Sequence, residues 1–310
     1  MKRFFNSPYF VFFIAACLYL CSCSSDPKGT AEETIPNTPT SGKLTVFCDE
    51  GISLELHNLA YTFGKLYKNA TIKVNNVNEK EAIEGLYNDS CKVIALSRGL
   101  SENELKKFQQ HNLIIQSVFI AKTATALVVS RDCADSVATL AKFKALLGGD
   151  SLVFSTLSQV VFDNENSGAT RFLKDSLLNG KMFGKNCHAA KTSLELIELI
   201  SKNKHALGIM DYAWLSDKDD NATKEILKKV KIIPLARQQG DLAYYPDQSN
   251  IQTGDYPLCR SIYLIRRGED FSLGAGFISF VAGQKGQIMM LKAGLAPGRQ
   301  PERVIEVNIH

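Results

Sequence analysis

Little in this 310-residue chain points to catalysis, metal binding or nucleic acid. No Gly-x-Ser-x-Gly elbow occurs, which argues against a serine hydrolase of that type. The five histidines, His57, His111, His188, His205 and His310, stand at no spacing that lets two share a metal ion. Asp163 and Glu165 are two apart, a loop spacing that local hydrogen bonding explains without acid–base work. We therefore expect no enzyme, no catalytic residue, no metal and no cofactor. Cysteine is sparse and irregular: past residue 23 there are Cys48, Cys91, Cys133, Cys187 and Cys259, with no C-x-x-C pair. At most two disulfides can form and one thiol must stay free. Cys48 and Cys91 lie in apolar runs and read as small buried hydrophobes. Basic residues are scattered, without aromatic-interleaved blocks, so nucleic-acid binding has no support.

Long apolar runs are missing beyond the N-terminus, where no stretch reaches the roughly 20 residues of a membrane helix. What remains is ordinary globular chemistry, 45% hydrophobic and 22% charged, in a chain long enough for two core-forming lobes. The first residues are a separate matter. Lys2-Arg3 precede an apolar run, residues 10–20, and Leu20-Cys21-Ser22-Cys23 fits a lipoprotein cleavage box. Leu20 and the small Ser22 stand at −3 and −1 of Cys23, the expected lipidated residue; Cys21 would put Leu20 at −1. Residues 1–22 read as signal peptide. Residues 23–41, rich in Ser, Thr, Pro and Glu, read as a flexible tether. Cleavage removes Lys2 and Arg3 and lowers the formal charge from +4 to +2. The expected location is the periplasmic side of a bacterial membrane, inner or outer, where an exported lipoprotein is held by its lipid.

The remaining chain alternates strands and helices, the pattern of an α/β lobe built on parallel strands. Strands are expected at residues 43–48, 71–74, 91–96, 152–154, 206–210, 231–235 and 260–265, with a long β-rich run over 113–130. Helices are expected over 54–66, 79–87, 131–147, 172–178, 193–202 and in two runs between 273 and 295. Ser101 and Glu104 match a capping box. In such sheets ligands sit beyond the carboxyl ends of strands. Three polar turns qualify: residues 50–53, which also offer a possible helix cap, Ser97-Arg98, and the stretch from Asp163 to Ser167. The last runs into Gly168 and Ala169. Asn166 or Ser167 can cap the following helix, whose free N–H groups and dipole favour an anion, and Gly168 allows close approach. Arg98 adds a fixed cation suited to an oxyanion. Asp211 and Tyr212 could reach a ligand, but capping and packing explain them.

Several segments together resemble the PstS-like family of periplasmic substrate-binding proteins that feed phosphate ABC transporters. They are Ile120-Ala121-Lys122-Thr123-Ala124-Thr125, Asn166-Ser167-Gly168-Ala169, Tyr256-Pro257-Leu258-Cys259-Arg260 and Gly283-Gln284-Lys285-Gly286-Gln287. The lipid leader and the Ser97-Arg98 variant most resemble members from the Bacteroidetes. The resemblance implies a type II two-lobed periplasmic-binding-protein fold, each lobe a mixed sheet flanked by helices, with the ligand cleft between them. Lobe 1 would combine residues 42–125 and 236–310, and lobe 2 would hold 126–235. Carried across, the ligand set is Glu50, Gly51, Ile52, Ser53, Ser97, Arg98, Asp163, Asn166, Ser167, Gly168 and Ala169. Two charges look exchanged between lobes relative to the family, Arg98 standing where Asp is usual and Asp163 where Arg is usual. Arg98 would then supply the cation, while Asp163 pairs with it or accepts a ligand proton. Ala169 replaces a Thr and removes one hydroxyl unless Thr170 substitutes for it. The implied function is a monomeric, lipid-anchored receptor that hands inorganic phosphate, or a similar small anion, to an ABC permease and ATPase. The alternative is the same scaffold used as a cell-surface interaction or adhesion protein.

Overall fold

A computed structural model describes residues 36–268 and 270–300; Cys23, the signal peptide and most of the tether lie outside the described residues. β1 (Gly42–Cys48) sends Leu44, Val46 and Cys48 inward, and a 3-10 turn (Glu50–Ile52) carries it into α1 (Ser53–Leu66). Leu56, Leu59, Ala60 and Phe63 recur at helical spacing and bury one stripe of α1. β2 (Ala70–Asn76), α2 (Glu79–Tyr87), β3 (Val93–Leu96) and α3 (Glu102–Gln110) follow. Asn78 caps α2, and Ser101 with Glu104 forms the capping box at α3 that the sequence predicts.

β4 (Ile115–Ser130) spans 16 residues, roughly 50 Å of extended chain. After it come β5 (Ala138–Thr139), α4 (Leu140–Leu147), β6 (Gln159–Phe162), α5 (Gly168–Ser176), β7 (Cys187–Ala189), α6 (Ser193–Lys202) and β8 (Ala206–Asp211). The short α7 (Ala213–Ser216), α8 (Asn221–Lys229), β9 (Val230–Ile232), β10 (Leu235–Ala236), β11 (Ala243–Tyr244) and α9 (Gln248–Thr253) lead to β12 (Cys259–Arg267). α10 (Leu273–Ala282), α11 (Gln284–Lys292) and β13 (Ala296–Pro297) close the described chain.

The strands run in the order β2-β1-β3-β12-β4-β8-β6-β7, with β9 and β13 also on β4. β1 is parallel to β2 and β3, and β6 is parallel to β7 and β8, whereas β12 and β4 are antiparallel to their neighbours. The result is two mixed sheets that share one long strand, the two-lobed type II arrangement. β4 is buried over its second half because it is flanked on both sides there. One core gathers Val46, Phe63, Ile120 and Phe277; a second gathers Leu127, Phe143, Val160 and Leu207; a smaller third packs Leu86, Leu96 and Phe108 under α2 and α3. Ile251, Tyr256 and Leu258 pack into the second core although they follow residue 236 in sequence. Parallel order brings the carboxyl ends of β1, β3, β6 and β8 toward one seam, where the candidate loops meet.

Four local expectations need correction. Leu152-Val153-Phe154 is a turn rather than a strand, with Leu152 90% exposed; the strand is β6. Asp135 explains this, since its carboxylate accepts from the N–H groups of Ser155, Thr156 and Leu157 and holds them out of any ladder. Residues 131–137 are likewise not helical; the helix begins only after Thr139, whose hydroxyl caps it. The turn before α1 supplies no side-chain cap: the Ser53 hydroxyl donates to the Glu50 carbonyl instead. Lastly, the end of the proposed tether is packed. Asn37 accepts from the Leu273 N–H at 3.0 Å, and Pro39 lies against α10. All five cysteines among the described residues are free thiols, and Cys48 and Cys91 are buried.

That docking depends on Gly276, where an added Cβ would lie 1.8 Å from the Pro39 carbonyl oxygen. Gly276→Ala is expected to cost about 1–3 kcal/mol, read as a lower urea midpoint with an unchanged slope. A midpoint within error of the parent would show that residues 36–41 do not contribute to the fold.

Candidate functional site

At the seam, α5 starts with its first N–H groups aimed at side chains from the other lobe. Ser167 caps the helix, accepting from Thr170 N–H at 3.2 Å, and its own hydroxyl donates to Asp163 at 2.8 Å. Asp163 also accepts from the Asn164 N–H, so one buried carboxylate fixes the turn that presents the helix end. The Gly168 N–H then donates to the Asp49 carboxylate, 2.9 Å away at the end of β1. No side chain would fit at Gly168. An added Cβ would lie 2.3 Å from Ser97 Oγ, 2.6 Å from Asp49 Oδ2 and 3.1 Å from Arg260 Nη1.

Arg260, from β12, is the buried cation of this group. Its guanidinium donates to Ser97 Oγ at 2.7 Å and to the Asp211 carboxylate. Asp211, at the end of β8, also accepts from the Thr123 hydroxyl at 2.6 Å and from the Ala213 N–H. Gly51 completes the fit, with Asp211 packed where its Cβ would be. The Arg260 Nε and the Thr125 hydroxyl, both buried, have no hydrogen-bond partner. Chemically, this is a desolvated nest of hydroxyls, one helix N-terminus and one guanidinium, facing three carboxylates.

Such crowding moves protons. Burial pushes the Asp49 carboxyl up to about 6, against the pull of Arg260 and the Gly168 N–H. Burial likewise takes Asp163 to about 7, opposed mainly by the Ser167 hydroxyl. Glu55, beneath the same turn, is raised to about 8 by burial.

The remaining sequence-predicted residues divide between the seam and its flanks. Glu50 accepts from the Ser193 N–H at the start of α6, so it too crosses between lobes. Gly51 and Ile52 are buried in the 3-10 turn, and Ala169 is buried on α5. Asn166 is exposed, its N–H bound to Asn164. The Thr170 hydroxyl donates to the Asn164 carbonyl and is thereby committed to its own loop. Arg98 lies to one side, bound to Glu79 and doubly to Glu104 rather than to Asp163. Burial disfavours its charge, yet those two carboxylates outweigh it and hold its pKa above the usual arginine value. Sequence reasoning passed over Asp49 and Arg260. An arginine placed just ahead of the apolar stretch of β12, at the end of the segment Tyr256 to Arg260, was the available signal.

The raised carboxylates fix the sign of a pH effect. The folded state holds protons on Asp49, Asp163 and Glu55 that the unfolded chain releases near pH 4. Their contribution is complete below that pH and is lost as pH rises through about 6 to 8. Stability of the ligand-free protein is therefore expected to fall from pH 5 to pH 8. Asp163→Asn, which keeps the Oδ1 acceptor, should flatten that fall by up to about 1.4 kcal/mol per pH unit. Urea unfolding at four pH values checks this, and parallel profiles for parent and variant would refute the assignment.

Comparison with known proteins agrees with the geometry. The phosphate-binding protein PstS of Pseudomonas aeruginosa is 22% identical over 292 residues, covering 87% of this chain and 86% of the relative. A Clostridium perfringens structure with bound phosphate superposes with a TM-score of 0.67 at 16% identity, covering 83% of this chain and all of its own. An ABC-type phosphate transport receptor from Vibrio cholerae gives 0.61 at 17% identity, with the same coverage. The model of the PBP superfamily domain matches residues 34–285, and the chain thus belongs to this periplasmic-binding-protein superfamily, with PstS-like relatives.

Proposed function

We propose that this protein is a receptor for inorganic phosphate or a similar small oxyanion, bound where α5 begins, and that it serves an ABC permease. The observation that carries the reading is the Gly168 N–H at a capped helix start, shared with Ser97 and the Arg260 guanidinium. Helix N–H groups, a hydroxyl and a guanidinium are a complete donor set for an oxyanion. In the closed form Asp49 holds the Gly168 N–H, so an incoming anion takes over a donor that the protein otherwise keeps for itself. Arg98 is committed to Glu79 and Glu104; we assign the ligand's cation to Arg260, whose Nε is still unpartnered. Asp163 acts by positioning Ser167, whose hydroxyl donates to it at 2.8 Å.

The lipid on Cys23, the lobe boundaries at 126 and 235, and delivery to a permease belong to this proposal. The two larger cores support the lobes, and no helix among the described residues is long and apolar enough to cross a membrane.

Isothermal titration of the mature chain with phosphate and then sulfate, at pH 5.5 and pH 8, tests the reading. Phosphate should bind in preference to sulfate, with affinity at least tenfold better at pH 5.5, where Asp49 and Asp163 are protonated more often. Sulfate keeps its charge over this range, so any change in its weak binding reports the protein groups alone. Arg260→Lys should weaken phosphate at least tenfold, and Arg98→Ala should stay within about threefold of the parent. The opposite ranking returns the cation to Arg98. A folded, ligand-stripped sample that gives no heat with either anion supports the interaction-protein alternative.

A further inference from the structure

Beside the closed seam lies a groove of about 1160 Å³ between α2 and α3 on one side and α5 and β7 on the other. Sites for organic ligands usually span about 300–1,000 Å³, so the groove is far larger than a tetrahedral oxyanion requires. Nothing assigned to the anion at Gly168 accounts for this space. The seam itself is packed to the point that a single Cβ at Gly168 would clash with three groups.

The walls of the groove have a definite character. On the first side Tyr87 sits edge-on to Phe108 and His111, with ring centroids 5.6 and 5.2 Å apart. Across from it Phe183 tilts on Phe162 at 4.6 Å, and the adjacent Met182 is 80% exposed at the rim. Tyr87 and Phe183 are only partly buried, so aromatic surface from both lobes remains open. The floor is spent charge: Glu79 is 96% buried, and its Oε1 lies 2.6 Å from Arg98 and 2.7 Å from Arg171, joining α2 to α5. Its Oε2 accepts no hydrogen bond. Lys80 faces Glu84 at 3.8 Å, and Glu104 is neutralised by Arg98. Two lining cations, Lys107 and Lys174, are in no ion pair with a described residue, against one such carboxylate, Glu165. The unspent charge is positive, and the unspent surface is aromatic.

We propose that this groove is a second ligand site, for an organic anion with a flat apolar body. The body lies between Tyr87 and Phe183, and the acidic group is drawn by Lys107 and Lys174. Ring burial supplies most of the affinity, because exposed ammonium–anion contacts contribute little; the lysines supply the preference for an anion. The floor stays clasped through Glu79 and Arg171, so the groove fills without displacing Asp49 from Gly168.

The test titrates the mature chain with 2-naphthalenesulfonate and with neutral 2-naphthol, with and without saturating inorganic phosphate. We expect one sulfonate per chain, bound at least tenfold tighter than naphthol and unaffected by phosphate. Phe183→Ala, and the double variant Lys107→Ala with Lys174→Ala, should each weaken it about tenfold with unchanged thermal melts. Equal binding of naphthol, indifference of both variants, displacement by phosphate, or no sulfonate binding at millimolar concentration would each overturn the proposal. The phosphate reading stands or falls separately: loss of phosphate heat with sulfonate binding intact removes that reading and leaves the groove.

Discussion

One guanidinium holds the middle of this molecule. Arg260 leaves β12 at the point where the two sheets meet and ties that strand to Ser97 at the end of β3 and to Asp211 at the end of β8. Thr123 on β4 donates to the same Asp211. Four strands are thus locked together by one desolvated ion pair. Breaking such a pair from one side costs about 3–5 kcal/mol, because the remaining charge is stranded away from water. With that pair in place the ends of β1, β3, β6 and β8 have no freedom to splay, and the loops they carry are brought within hydrogen-bond distance.

Around this fixed point the lobes close on carboxylates from the first lobe. Asp49 takes the helix end at Gly168, Glu50 takes the one at Ser193, and Glu79 takes Arg171. Each contact places a negative group from one lobe against a positive end or a cation of the other. The same preference that makes a helix N-terminus attract a ligand anion therefore also ties the two lobes to each other. Ligand and protein carboxylate compete for one set of donors, and the proton count at Asp49 and Asp163 decides how strongly.

Much of this was legible in the sequence because it rests on local rules. The capping box at Ser101 and Glu104, the cap at Ser167, and the stripe of Leu56, Leu59 and Phe63 all follow from spacing alone. The seam residues Ser97, Ser167 and Gly168 were found because they sit at strand-to-helix turns. What was missed depends on distance in the chain. Arg260 meets Asp211 and Ser97 across 49 and 163 residues, and no local pattern encodes such a meeting. Arg98 misled for the converse reason: the motif places it at a strand end, while its partners Glu79 and Glu104 come from two helix starts nearby. The run at Leu152 failed because one distant acid, Asp135, captured its neighbours' N–H groups.

β12 is inserted between β3 and β4, although more than 125 residues separate it from either. The first sheet therefore cannot be completed until residue 267 is available, however early its other strands are made. The second sheet, built from β4, β6, β7, β8 and β9, is complete by residue 232 and faces no such wait. Synthesis order and assembly order are thus inverted: the segment made first has to remain unfinished longest.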